Sequence, residues 1–126
     1  MSSSLCIAVA DDEPVMCRFF QEMLPLLGHQ VVRVAQNGRE LVKQVLAERP
    51  DLVITDIKMP ELDGIDAAIE IYKTYAVPVI LVSAYHDPEL IARAEANHIM
   101  AYLIKPIKRA DLETAIALAM WRFGQF

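Results

Sequence analysis

Short apolar runs alternate with longer segments of helical spacing along the chain. Five such runs stand out: Leu5–Ala10, Val31–Ala35, Leu52–Thr55, Val79–Val82 and Met100–Ile104. Alternation of this kind predicts parallel strands with helices crossing between them. The runs at 5–10, 52–55 and 79–82 are continuously hydrophobic, which predicts central strands covered by helices on both faces.

The intervening segments predict helices. Pro14 begins the first one, and its apolar stripe ends before Gly28, a residue favoured just beyond helix ends. Pro25 lies where a helix interior is expected and predicts a kink or a slackened last turn. The remaining helices are predicted over 38–48, after Asp63-Gly64, around 90–94 and over 112–120.

The composition indicates a compact domain that contacts neither membrane nor nucleic acid directly. The 126 residues are 55% hydrophobic and predict one domain over 1–126, with a folded core at about 5–120. A net charge of −5 disfavours binding to phosphate backbones. No apolar run is long enough to span a membrane, and no secretory signal precedes them. Cys6 and Cys17 form no disulfide or zinc pattern, so a cytoplasmic location is expected.

Charged and polar residues stand at the ends of four predicted strands. Asp11 and Asp12 follow the first strand, Asp56 the third, Ser83 the fourth and Lys105 the fifth. The carboxyl ends of parallel strands share one edge of the sheet, where ligands bind. Two carboxylates ~4 Å apart repel by about 4 kcal/mol at an effective dielectric of 20, so a counter-ion is expected between them. Oxygen ligands favour Mg²⁺ or Mn²⁺.

Each of these residues also has a simpler structural explanation. Asp11-Asp12-Glu13 ahead of Pro14 can cap a helix and complement its dipole, and Asp56 can serve a turn. Ser83 alone fits a turn or cap, and Lys105 alone fits a solvated charge. Their joint placement at four strand ends favours a shared site.

The chain resembles the receiver domains of two-component response regulators over essentially its whole length. The likeness is carried by the acids at 11–13, an Asp-x-x-Met-Pro-x-x-Asp-Gly stretch over 56–64, Ser83-Ala84 and Lys105-Pro106. It implies the α/β class and a doubly wound (βα)5 fold of the flavodoxin-like, CheY-like type. The five-stranded parallel sheet would have the strand order 2-1-3-4-5.

The resemblance assigns roles to the acidic residues. Asp56 would accept a phosphoryl group from a sensor histidine kinase or a phosphotransfer protein and form an acyl phosphate. Asp11, Asp12 and Asp56 would hold Mg²⁺ together with the backbone carbonyl of Lys58. The domain would catalyse only its own phosphorylation and dephosphorylation, so it is not expected to be a classical enzyme.

Three further residues acquire roles from the resemblance. Lys105 would pair with Asp56 and later with a phosphoryl oxygen, while Ser83 would hydrogen-bond another phosphoryl oxygen. Drawing Ser83 inward would let Tyr102 swing from an exposed to a buried position as an aromatic switch. The responding surface would comprise the fourth helix, the fifth strand and the fifth helix, and its partner would be a second copy or a fused output domain.

Some positions depart from the family pattern or tune it. Ser83 stands where Thr is commoner, which keeps the hydroxyl but loses the methyl group. Asn97-His98 replaces a frequent glycine before the fifth strand, and we expect Asn97 to tolerate the left-handed conformation there. Lys58 and Tyr85 lie where the family adjusts the lifetime of the acyl phosphate.

The C-terminal part carries a second, weaker resemblance. Segments 101–106 and 115–123 are similar to receivers that precede RNA-binding antitermination (ANTAR) outputs. The chain is therefore either a stand-alone regulator or a piece of a longer protein with a missing output domain.

Three other functions use parts of the same pattern. A haloacid-dehalogenase phosphatase needs a second acid two residues after its nucleophile, where Lys58 stands. A flavodoxin-like nucleotide binder needs a glycine-rich phosphate loop, which the scattered glycines do not form. A receiver fold kept only for protein interaction would not need the acidic pair, Asp56 and Lys105.

Overall fold

The computed structural model describes residues 4–124. Strands and helices alternate in this part of the chain in the order β1 (Cys6–Ala10), α1 (Pro14–Leu26), β2 (Gln30–Ala35), α2 (Gly38–Ala47), β3 (Leu52–Asp56), α3 (Gly64–Tyr72), β4 (Val79–Ser83), α4 (Pro88–Ala96), β5 (Ala101–Ile104) and α5 (Arg109–Phe123). Each predicted strand and helix is present within a few residues of its predicted bounds. Over the same residues, none of the helices has the length and apolarity needed to cross a membrane.

The sheet has the predicted order. All neighbouring strands pair in parallel, in the sequence β2-β1-β3-β4-β5. Every residue of β3 and β4 is buried, whereas the edge strands β2 and β5 are only partly buried. The prediction that the continuously hydrophobic runs form the central strands is therefore confirmed.

Helices cover both faces of the sheet. Successive residues of a strand point to opposite faces. In β1, Ile7 and Val9 join the apolar cluster of α1 and α5, whereas Ala8 and Ala10 join that of α2 and α3. Because both faces are occupied by apolar packing, polar side chains collect at the carboxyl edge of the strands.

The end of α1 shows how the chain accommodates Pro25. The helix continues through Pro25 to Leu26, and Gly28 follows with a φ of 90°. Gly28 N–H donates to Pro25 O and His29 N–H donates to Leu24 O, both at 3.0 Å. These two bonds are the Schellman pattern that satisfies the last carbonyls of a helix. Pro25 thus lies in the last turn and does not shorten the helix.

The turn before β5 differs from its prediction. His98, and not Asn97, has a positive φ, of 61°. Asn97 ends α4, and its Nδ2 donates to Arg93 O at 2.7 Å. Because the amide side chain of Asn97 is committed to the end of the helix, the next residue makes the left-handed turn.

Candidate functional site

Three carboxylates meet at the carboxyl edge of the sheet. Asp11, Asp12 and Asp56 each contribute an oxygen that lies within 4.8 Å of the other two. Asp11 is fully buried and Asp56 is 7% exposed, whereas Asp12 is exposed. Carboxylates this close repel one another unless a cation or a proton lies among them.

Backbone pairing places Asp11 beside Asp56. Asp56 is the last residue of β3, and Asp11 follows the neighbouring strand β1. Asp11 N–H donates to Ala35 O at 3.1 Å, and Asp11 Oδ1 accepts from Glu13 N–H at 2.9 Å. These bonds hold the Asp11 backbone and one of its oxygens, so the other oxygen, Oδ2, is left for the site.

Lys105 brings a positive charge to the cluster from the end of β5. Its Nζ lies 3.0 Å from Asp11 Oδ2, 3.2 Å from Glu13 Oε1 and 3.7 Å from Asp56 Oδ2. The Lys105-Pro106 peptide bond is cis. Sequence reasoning considered Glu13 only as part of a helix cap, although its place in an acidic run at a strand end was a usable signal.

The surroundings shift the pKa of both Asp56 and Lys105. Burial, reinforced by the charge of Asp11 and partly offset by Lys105, raises the pKa of Asp56 from 3.8 to about 6. Burial lowers the pKa of Lys105, but its contact with Asp11 and the charge of Asp56 outweigh burial, and the pKa is raised. Ionised Asp56 therefore sits in a site that favours additional positive charge.

The oxygens of the cluster fit a hard divalent cation. Asp11 Oδ2 is buried, and the Lys105 ammonium lies 3.0 Å from it as a charged partner. Lys105 supplies one positive charge against the three carboxylates of the cluster, so negative charge remains that a divalent cation would balance. The oxygens of Asp12 and Asp56 complete a set of the kind that Mg²⁺ prefers.

Two glycines let the loop after β3 pack closely. A Cβ on Gly64 would lie 2.0 Å from Asp56 O, and one on Gly38 would lie 2.0 Å from Leu62 O. Both distances are far below any tolerated contact, so a side chain at either position requires the backbone to shift. The C-terminal end of the loop at 57–63 is thus packed closely on two sides, with Gly64 against Asp56 and Leu62 against Gly38 at the start of α2.

Ser83, Tyr102 and Lys58 gather around Tyr85. Ser83 Oγ is buried and accepts from Tyr85 N–H at 3.1 Å. The half-buried Tyr102 donates its hydroxyl to Tyr85 O at 2.9 Å. The Lys58 ammonium lies over the Tyr85 ring, 5.1 Å from its centroid. Tyr85 therefore links the predicted hydroxyl donor, the predicted switch residue and the loop after β3.

The predicted site residues lie on neighbouring strands and loops. Asp11, Asp12, Asp56 and Lys105 meet directly in the cluster described above. Ser83 follows the β4 residue that is paired with Asp56, so it stands on the adjacent strand. Lys58 lies in the loop at 57–63, and Tyr102 lies on β5, where its hydroxyl donates to Tyr85 O.

Comparison with known proteins identifies the family. The response regulator receiver domain family matches residues 7–117, and the chain belongs to it. It is therefore a receiver domain of two-component signal transduction, a signalling class and not a family of classical enzymes. Receiver domains in general bind Mg²⁺ and interact with kinases or phosphotransfer proteins. The family and fold predicted from the sequence are both confirmed.

Individual relatives support the same assignment. The chain is 41% identical over 119 residues to the transcriptional regulatory protein PdtaR of Mycobacterium tuberculosis, covering 94% of this chain and 58% of PdtaR. It is 32% identical to the phyllosphere-induced regulator PhyR of Methylorubrum extorquens, covering 91% of this chain and 43% of PhyR. The chain thus spans about half the length of these curated relatives.

Solved structures share the fold. A response regulator receiver domain protein from Clostridium thermocellum superposes with a TM-score of 0.84 at 32% identity, covering 94% of this chain and 96% of that one. The CheX–CheY–BeF₃–Mg complex from Borrelia burgdorferi contains a chain with a TM-score of 0.83 at 23% identity, covering 87% of this chain and 84% of that one. The second likeness concerns the fold alone.

Proposed function

We propose that this domain accepts a phosphoryl group on Asp56 from a phosphohistidine of a sensor histidine kinase or a phosphotransfer protein. The observation that carries this proposal is the cluster of Asp11, Asp12 and Asp56 with the Lys105 ammonium beside it. Phosphoryl transfer depends mainly on positioning and on neutralising charge. We place the reaction in the cytoplasm, where the free cysteines stay reduced.

The transfer step forms one bond and breaks one. A carboxylate oxygen of Asp56 attacks phosphorus in line with the imidazole nitrogen of the phosphohistidine. The P–N bond breaks as the O–P bond forms, and the imidazole leaves with the electron pair and takes up a proton from water. A pKa of about 6 keeps most Asp56 side chains ionised, and so nucleophilic, near neutral pH.

Four residues would hold the metal ion. Asp11, Asp12 and Asp56 would bind Mg²⁺, or Mn²⁺ in its place, together with the backbone carbonyl of Lys58. When bound, the ion supplies positive charge that balances the carboxylates and the phosphoryl oxygens. The close approach of the three carboxylates, which one lysine cannot neutralise, supports this assignment most directly.

Lys105 and Ser83 would bind the phosphoryl group on Asp56. The Lys105 ammonium, already beside the carboxylates, would pair with one phosphoryl oxygen. Ser83 would rotate its side chain toward another phosphoryl oxygen, which moves Oγ away from the Tyr85 N–H that now donates to it. Since Tyr85 O also accepts a hydrogen bond from the Tyr102 hydroxyl, a displacement of Tyr85 would move Tyr102 on β5 and allow it to act as the switch.

Water attack on the acyl phosphate would return Asp56 to its free form, so the domain would catalyse only its own phosphorylation and dephosphorylation.

The surface formed by α4, β5 and α5 would pass the signal to a downstream partner. Trp121 is 64% exposed, Ile104 is 40% exposed and Leu118 is 38% exposed on this side. A groove of about 380 Å³ lies between β5 and α5, with Tyr102 in its lining. Exposed apolar side chains suit a homodimer partner or an output region of a longer protein. Because the relative PdtaR is named a transcriptional regulatory protein, we favour control of gene expression as the output, with ANTAR-type antitermination as its specific form.

Mass spectrometry after treatment with a small phosphodonor tests the acceptor role. We expect a phosphoryl adduct on the wild type with Mg²⁺, and none after chelation or in Asp56→Asn. The matched control is Asp111→Asn, which makes the same change at an exposed position of α5 and should leave the adduct intact. An adduct of undiminished yield in Asp56→Asn would remove Asp56 as the acceptor.

A further inference from the structure

Helix α4 is only thinly attached to the rest of the molecule by apolar packing. Of its nine residues only Ala94 is buried, whereas the neighbouring α3 buries five of nine. Apolar burial is the main force that fixes a helix on a sheet. Polar contacts therefore make up an unusually large share of what holds α4 in place.

The main polar contact of α4 is a two-armed ion pair with the start of α3. Arg93 Nη1 lies 3.1 Å from Asp63 Oδ2, and Arg93 Nη2 donates to Asp66 Oδ1. The two arms of one planar guanidinium thus bind two carboxylates, a geometry that lysine cannot reproduce. Asp63 is also the N-cap of α3, since its Oδ1 accepts from Asp66 N–H at 2.7 Å.

Asp63 ends the loop that begins at the phosphoacceptor. The loop at 57–63 follows Asp56, and Gly64 N–H closes it by donating to Ile57 O at 2.7 Å. The Gly64 backbone packs so closely on Asp56 O that a Cβ would lie 2.0 Å from it. A displacement of Asp63 would therefore also shift Asp56 and Lys58, because the hydrogen bond and the close contact of Gly64 join the two ends of this short loop.

We propose that Arg93 is a positioning residue of the phosphoacceptor site, which it reaches from α4 through Asp63 and Asp66. By holding the start of α3, it sets where the loop at 57–63 presents its carbonyl groups to a bound cation. This inference rests on the proposed function, because it concerns the same Mg²⁺ and phosphoryl site. The Arg93 guanidinium does not touch the reacting atoms, so Arg93 is not a catalytic residue.

The link works in both directions. If the position of α4 changes the affinity of the site for Mg²⁺ and a phosphoryl group, then occupation of the site changes the free energy of α4 by the same amount. A partner that binds α4 would then alter the affinity of the acidic site at the carboxyl edge of the sheet. The ion pair supplies a route from site to surface that is separate from the route through Tyr85 and Tyr102.

Cation affinity and hydrogen exchange test the proposal together. We would measure the Mg²⁺ dissociation constant by calorimetry, beryllofluoride binding at fixed Mg²⁺, and exchange protection of the Gly64 amide. Arg93→Gln and Asp66→Asn should each weaken Mg²⁺ and beryllofluoride binding about threefold to fivefold. Protection of the Gly64 amide should fall by a similar factor. The double variant should be no weaker than Arg93→Gln alone, and Arg93→Lys should lie between wild type and Arg93→Gln.

The control uses a second ion pair on the same helix. Glu70, on α3, pairs with Lys73, the residue that follows the helix, so Glu70→Gln should leave all three readouts unchanged. Unchanged affinity and protection in Arg93→Gln, or equal shifts in Glu70→Gln, would overturn the positioning role. A wild type that binds Mg²⁺ but not beryllofluoride would contradict the proposed phosphoacceptor function, and a fall in Mg²⁺ affinity in Arg93→Gln would still support the link.

Discussion

Helices α3 and α4 both pack on the face of the sheet that α2 covers, but they bury very different numbers of residues there. Helix α3 buries Ile65, Ile71 and three small residues against the sheet, whereas α4 buries only Ala94. The strands behind α3 are buried throughout, whereas β5, next to α4, is an edge strand. The proposed phosphoacceptor site, which needs fixed distances between its groups, thus lies beside the firmly packed α3. The weakly packed α4 can change position more easily. Regions that move in signalling are drawn from the less stable end of a structure.

Truncation of matched isoleucines should show the largest difference between the two helices. Ile71 is fully buried on α3, and Ile91 is half-buried on α4. Ile71→Ala should lower the free energy of unfolding by about 2–5 kcal/mol, because it leaves a cavity. Ile91→Ala should lower it by less than about 1.5 kcal/mol, because less area leaves the core. Urea denaturation measures both, and equal losses would contradict the comparison.

A methyl group at Gly64 should damage the firmly packed part without changing any charge. Its Cβ would meet Asp56 O at 2.0 Å, so Gly64→Ala must push the loop away from β3. We expect a loss of about 2–3 kcal/mol in the free energy of unfolding, together with weaker Mg²⁺ binding. Gly124→Ala is the control, since the Cβ there would lie 3.5 Å from its nearest neighbour, Trp121 O. Wild-type Mg²⁺ affinity in Gly64→Ala would show that the loop position does not matter.

The buried carboxylate of Asp56 should make the metal-free domain less stable as the pH rises. Its folded pKa of about 6 lies above the ordinary 3.8, so the folded state binds more protons between these values. Stability is therefore lost as the pH rises from 3.8 to about 6. In the presence of a chelator, Asp56→Asn should be more stable than wild type by about 1–3 kcal/mol near neutral pH.

The same experiment has two internal checks. The difference between Asp56→Asn and wild type should vanish near pH 4, and added Mg²⁺ should stabilise wild type more than the variant. A difference that is the same at every pH would point to altered packing and not to charge.

Removal of the Tyr102 hydroxyl should have the smallest effect. Tyr102→Phe loses one hydrogen bond, to Tyr85 O, at a partly exposed position of an edge strand. The free energy of unfolding should fall by about 0.5–1 kcal/mol, with Mg²⁺ affinity within twofold of wild type. A loss as large as that of Ile71→Ala would mean that β5 is as firmly fixed as α3.

Much of the site could be predicted because its residues stand at strand ends. Asp11, Asp56 and Lys105 each follow a recognisable apolar run, and the carboxyl ends of parallel strands meet. The contact of Glu13 with Lys105 was missed, since it joins segments far apart in the chain. The left-handed turn before β5 was assigned to Asn97, but that side chain is used by α4 and His98 makes the turn.

Periodicity and strand-end chemistry, which are local properties of the chain, were enough to establish the order of elements, the central strands and the acidic cluster. Local patterns carry no information on which distant side chains meet or how deeply a charge is buried. Three features depend on these tertiary contacts and on burial. They are the raised pKa of Asp56, the hydrogen bonds of Ser83 and Tyr102 to Tyr85, and the ion pairs of Arg93 with Asp63 and Asp66. They arise when segments far apart along the chain, such as those that carry Asp56 and Lys105, pack together and exclude water.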